Sequence, residues 1–222
     1  MNKKVLVIAL VLVLAVGSAF AANSLFSSKK ADMKVGAQLG FGARSVTVTG
    51  KESLKDSSAN VLNMGFYGAF TFEYGVSDAV SLKAEAGINT MGKAKSTLTI
   101  AGITGKSESD SSSTPVNFTI FAGALYNIEL NKELALYVGG GLDMMIGKLL
   151  SDEDAKTNAA IGLGLEAGAS YAIDKNLSIN AGGKFGWHFL NTNDDVQEST
   201  VGDNHSTTNI SYKFYAGVTY SI

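Results

Sequence analysis

Four acids, Glu73, Glu85, Asp143 and Glu166, and four bases, Lys34, Lys83, Lys184 and Lys213, occupy one face of a series of alternating segments whose other face is apolar. Equal numbers of opposite charges on a face otherwise made of glycine and small polar residues suit ion pairing. A charge withdrawn from water costs several kcal/mol unless a partner meets it. Two arrangements satisfy that demand: an ion-pair plug that fills an interior, or a gated, narrow ion path through it. Glu166 and Lys184 fall nearly opposite each other across one short connection, and Glu73 faces the region of Lys83 across another. Five bulky residues, Tyr67, Phe121, Leu125, Tyr137 and Tyr215, interrupt the same face. They either line a pocket for a small hydrophobic molecule or fill space between glycines, and filling is the simpler account because pockets are few.

Catalytic and metal chemistry have little to stand on. The chain has no cysteine, which excludes thiolate sites and disulfides, and only two histidines. His188 has Leu190, and no hydroxyl, two residues on; His205 lies between Asp203 and Ser206 in a polar run where such residues are ordinary. Asp152-Glu153-Asp154 and Asp194-Asp195 lack the spacing of a calcium loop and read as solvated loop charges. The expectation is a chain without catalytic residues, cofactor or metal.

Eight alternating segments must position these groups. Their apolar sets run from Met33 to Ala43, Leu62 to Tyr74, Val80 to Ile88, Val116 to Tyr126, Leu134 to Met144, Ile161 to Tyr171, Leu177 to Phe189 and Ile210 to Ile222. Period-2 alternation places apolar and polar sets on opposite faces of a strand. Each segment covers about 9–13 residues, the length of a tilted transmembrane strand. Three connections are short (Gly75–Asp78, 127–133 and Ala172–Asn176) and share a faint repeat: YGVSDAVSL, YNIELNKELAL and YAIDKNLSI. The others, near 45–61, 89–115, 146–158 and 190–209, are long and polar, and Pro115 falls in one of them, where it costs no ladder bond. Alternating short and long connections imply an up-and-down antiparallel meander.

A soluble lipocalin-like barrel and a membrane barrel share this pattern and differ in which face is inside. The polar face is rich in glycine, including Gly123, Gly139, Gly141, Gly162, Gly164 and Gly168, and its charges are few. A solvated surface carries about 25–35% charged residues, whereas an eight-stranded lumen is only wide enough to be filled by its own side chains. The polar face is therefore assigned to the inside. Aromatic residues agree: Phe72, Tyr74, Tyr126, Tyr171 and Tyr220 gather at the short connections, and Phe118, Trp187 and Phe189 lie toward the long ones. That is the two-girdle arrangement of interfacial rings.

Residues 1–21 read as a cleaved secretory signal, with Lys3 and Lys4, an apolar run from Val5 to Val16, and Ala19-Phe20-Ala21 at the cut. Residues 22–31 form a short periplasmic lead-in, and residues 32–222 the barrel. The whole chain carries 18 basic and 20 acidic residues, and without a clustered basic face it is not expected to bind nucleic acid. The chain stops on an alternating strand ending GVTYSI, a Gly followed by hydrophobic residues at alternate terminal positions, with Ile222 where Phe is common. With the export signal, this resembles the closing strand of bacterial outer-membrane β-barrels, and the pattern over 32–222 is similar to the small eight-stranded members (OmpA/OmpX/opacity/OmpW-like). The resemblance implies an all-β protein: a single eight-stranded antiparallel up-and-down transmembrane β-barrel. It implies integral placement among outer-membrane lipids, and insertion by the barrel-assembly machinery through the C-terminal strand. It also implies a structural, porin-like or surface-interaction (adhesin-like) role with an extracellular ligand on the loops. The alternative it carries is a narrow conduit for small hydrophobic compounds. Lipid-modifying barrels use His, Ser and acidic groups that His188 and His205 do not reproduce.

Overall fold

The computed structural model describes residues 32–50, 57–90, 92–100, 102–110, 116–147, 157–191 and 205–222. These form ten strands: β1 (Met33–Gly50), β2 (Ser58–Gly75), β3 (Val80–Thr90), β4 (Lys93–Ile100), β5 (Ile103–Asp110), β6 (Val116–Glu129), β7 (Leu134–Gly147), β8 (Asn158–Ala172), β9 (Leu177–Asn191) and β10 (His205–Ser221). Eight of them close on themselves in the order β1-β10-β9-β8-β7-β6-β3-β2, and the β1–β2 pairing completes the ring. All pairings are antiparallel. Closure removes the sheet edge and satisfies the backbone within the sheet, which lipid requires. The expected signal segment and lead-in lie outside the described residues.

The remaining two strands correct the reading of 89–115 as a loop. β4 pairs along the first half of β2, from Ser58↔Thr99 to Met64↔Lys93, and β5 returns along β4. The hairpin turns at Gly102, whose φ of 81° suits a residue without Cβ. It stands outside the closed ring, at the end opposite the short turns.

Barrel strands are also longer than expected, up to 18 residues in β1 and β2. The sequence around residue 45 keeps its period but reverses its polarity. Leu39 and Phe41 point out and Gly42 and Arg44 point in, whereas Val46 and Val48 point in and Ser45, Thr47 and Thr49 share the outward face. On β2 the same reversal leaves Ala59 and Val61 inside and Asn60 outside, where its amide donates to Ser45 and Thr47. Outward apolar residues suit lipid, and outward hydroxyls over an inward apolar core suit water. The reversal therefore marks where these strands leave the hydrocarbon region. The apolar residues change face at that point, which is why 45–61 reads as a loop.

The three short turns are built alike. In each, two successive N–H groups donate to one carbonyl: Val76 and Ser77 to Val80 (2.9 and 3.1 Å), Leu130 and Asn131 to Leu134 (2.9 and 3.2 Å), Ile173 and Asp174 to Leu177 (2.8 and 3.2 Å). The second residue of each turn accepts a backbone N–H through its side chain: Ser77 from Val80, Asn131 from Leu134, and Asp174 from Leu177. The faint sequence repeat is this cap. The second turn begins at Leu130, three residues beyond the expected 127, because β6 continues to Glu129. Both ends of the described barrel lie here too, since Ile222 N–H donates to Met33.

Candidate functional site: a blocked lumen

The inside-out distribution of side chains is direct. Phe70 is 77% exposed, Leu39 74% and Phe214 67%, while Glu166, Lys213 and Arg44 are 1% exposed. A soluble barrel would reverse these values, so the apolar face meets lipid. Of the aromatic residues assigned to the interfaces, Phe72, Tyr74, Tyr126, Tyr171 and Tyr220 are exposed at the short-turn end. Phe118, Trp187 and Phe189 are exposed toward the other end.

From the short-turn end the lumen opens as a cavity of about 470 Å³ lined by Asp32, Lys34, Glu73, Ser81, Asn127 and Ser170 among others. Two expected members of the ion-pair set belong here and not to the plug. Lys34 pairs with Asp32 at 3.5 Å, both well exposed. Glu73 lies in register with Lys83, but the Lys83 ammonium turns away to other acids. Position on the lumen face brought these residues into the set; height along the barrel separates them, because both line the cavity at the open end, away from the square.

Above the cavity four charges form a closed square. Lys83 Nζ contacts Glu166 at 2.5 Å and Glu85 at 3.8 Å; Lys184 Nζ donates to Glu85 and lies 3.7 Å from Glu166. Tyr67 donates its hydroxyl to Glu85 and Tyr215 to Glu166, and Tyr137 bonds Tyr215 at 3.0 Å. Gln38, with its amide turned to suit its neighbours, links Glu85 and Lys83. A second cluster sits beside the square: Asp143 accepts from Lys213 (3.1 Å), from Ser211 (3.3 Å) and from His188 Nε2 (3.1 Å).

Three of the five bulky lumen residues lie beside lysine ammonium groups. Phe121 lies under the Lys184 ammonium at 4.6 Å, Tyr67 under Lys213 at 5.5 Å and Tyr215 under Lys83 at 5.5 Å, so the rings stabilise cations as they fill space. Leu125 and Tyr137 touch the cavity, among polar neighbours. Glycine makes the room: a Cβ at Gly168 would meet the Tyr137 hydroxyl at 2.3 Å, and one at Gly123 would meet the Phe121 ring at 2.8 Å.

Two contributors escaped the sequence reading. Arg44 continues the inward phase of β1 past Gly42, and ending that strand at Ala43 hid it. His188 reads as lumen-facing, but its partner Asp143 is far away in sequence. The carboxylate receives both His188 and Ser211, and among the described residues His188 Nδ1 meets no hydrogen-bond partner, so the arrangement differs from the relay of a hydrolase. Among the described residues no cluster of three or more His, Asp or Glu is placed to hold a metal. Asp152–Asp154, Asp194, Asp195 and Asp203 lie outside the described residues, as do the side chains of His205 and Ser206.

A closed antiparallel barrel with lipid-exposed apolar residues outside and ion pairs inside is an integral membrane β-barrel. The chain belongs to the outer membrane protein beta-barrel domain family, whose model matches residues 8–220. Among solved structures it is similar to Neisserial surface protein A, with 17% identity, a TM-score of 0.54, and coverage of 87% of this chain and all of the other. It is also similar to the outer membrane protein OprG from Pseudomonas aeruginosa, with 14% identity, a TM-score of 0.52, and coverage of 85% of this chain and 95% of that one. A search of curated proteins finds no match. The protein is thus integral to the outer membrane, and at these identities the likenesses describe the fold.

Proposed function

We propose that this barrel is a surface-interaction protein: its transmembrane part anchors, and the strands that rise beyond the membrane present a binding surface. The single observation that carries this reading is the combination of a blocked lumen with a projecting β4–β5 hairpin. The ion-pair square and the Asp143 cluster fill the lumen where a solute would have to pass, and the cavity below them is polar and ends at the plug. The hairpin carries exposed Leu98, Ile100 and Ile103 around its tip, and solvent-facing apolar residues on a protruding element suit a contact surface.

Replacing residues 93–110 by a four-residue turn tests it. The shortened barrel is expected to keep its compact, heat-modifiable form on unboiled gels while whole cells lose attachment to the surfaces that wild-type cells bind. Unchanged attachment, with measurable uptake of small hydrophobic compounds into liposomes, would overturn this reading in favour of a conduit.

A further inference from the structure

Counted over the described buried residues, the lumen carries an excess of positive charge. Among the described residues the buried charged groups are Arg44, Lys83, Lys184 and Lys213 against Glu85, Asp143 and Glu166, so one positive charge is in excess with His188 counted as neutral. The three lysines each contact a carboxylate. Arg44 does not: among the described residues its guanidinium bonds only amide oxygens, Asn209 Oδ1 from Nε at 3.1 Å and Asn158 Oδ1 from Nη2 at 3.3 Å, and Nη1 has no partner. A buried cation without a counter-charge is strongly unfavourable in a protein interior.

The surroundings supply further donors. Asn89 and Asn117 are in register on β3 and β6, are 0% and 1% exposed, and among the described residues neither amide has a hydrogen-bond partner. The Asn117 amide lies against Gly147, whose register partner is the Asn158 that Arg44 reaches; the Asn89 amide lies against Gly42, two residues before Arg44. Thr119, 1% exposed, adds an unpartnered hydroxyl on the same inner face. Inner-face amides with unmet hydrogen-bonding capacity, on strands near a guanidinium that lacks a counter-charge, make a candidate site for a small anion. Above it, Val46, Val48, Val61 and Met145 are buried on the lumen side; below it lies the ion-pair plug.

We propose that the upper lumen encloses one small monovalent inorganic anion of the halide class, bound by Arg44 with the amides of Asn89 and Asn117, which neutralises the interior and is sealed in when the barrel closes. It is a structural ion and involves no transport. The proposal does not depend on the surface-interaction reading, because it concerns the sealed interior and not the hairpin.

The test uses the mature barrel refolded in detergent from urea, at constant ionic strength, in sodium chloride or in sodium gluconate. Chloride is expected to slow unfolding in a saturable manner, by about tenfold once its concentration is near ten times the dissociation constant. Arg44→Met is expected to unfold at the same rate in both salts. Crystals of the wild-type barrel grown with bromide should show an anomalous peak within contact of the Arg44 guanidinium. This measurement decides the matter even if Arg44→Met fails to fold. Equal unfolding rates of wild type in the two salts, or bromide found only at the surface, would overturn the proposal and leave water as the partner of these groups.

Discussion

Glu166→Gln removes a charge from the square and leaves its shape. The Glu166 carboxylate is 1% exposed and meets Lys83 at 2.5 Å, Lys184 at 3.7 Å and the Tyr215 hydroxyl. After the change Lys184 keeps Glu85, and among the described residues the one carboxylate still paired with Lys83 is the same Glu85 at 3.8 Å. One carboxylate then serves two buried ammonium groups. Breaking a buried pair by removing one partner costs about 3–5 kcal/mol, and that is the expected loss of stability. Lys83→Met removes the matching cation. The double variant restores the original balance and should be more stable than additivity requires, by a coupling of about 1–3 kcal/mol. Urea unfolding from lipid vesicles measures both, read through Trp187, the sole tryptophan, whose half-exposed ring faces lipid. Lys132→Gln in an exposed turn is the control, expected to stay within about 0.5 kcal/mol. If Glu166→Gln costs no more than that control, the square is hydrated, the desolvation argument fails, and the ion-path reading regains its place.

The faces can be tested on β8. Ala167→Lys, on the lipid side, is expected to cost about 2–4 kcal/mol, while Ser170→Lys, on the cavity wall, stays near neutral; equal losses in a vesicle-folding assay would mean that the faces are misassigned. Gly168 is unsuitable for that comparison because the Tyr137 hydroxyl occupies the space of its Cβ. In the third turn, Asp174 accepts N–H bonds from Asn176 and Leu177, both 2.8 Å, and these hold its carboxyl below the usual carboxylate range. With the folded value lowered, its contribution is present above the ordinary carboxylate pKa and fades as pH falls through the lowered one. Asp174→Asn, which copies Asn131 of the second turn, should keep the turn and abolish this pH dependence, and Asp174→Ala should lose the cap at every pH. Unfolding curves from neutral to acidic pH would separate the three proteins.

Much of the architecture was legible in the residues because alternation is a local property. Phe66, Phe70 and Phe72 against Tyr67, Ala69 and Thr71 declare two faces without knowledge of the partner strand, and the turn repeat around Ser77, Asn131 and Asp174 is written within a few residues. The lumen set was legible only as a set. The face of Lys34, Glu73 and Lys83 follows from parity, but their height along the barrel depends on how register accumulates around a closed ring. That accumulation sends Lys83 to Glu166, 83 positions away, and leaves Glu73 on the wall of the cavity below. Arg44 and the β4–β5 hairpin were hidden for a related reason. Where a strand passes from lipid into water its favoured outward residue changes from apolar to polar, so the periodicity persists while its sign reverses. The sequence by itself determined the alternation, the short turns and the destination of the chain, since each depends on neighbouring residues and the solvent they meet. Only the tertiary structure decided which charges pair, which one is left over, and where the membrane ends along the strands, because those depend on distances across a closed barrel.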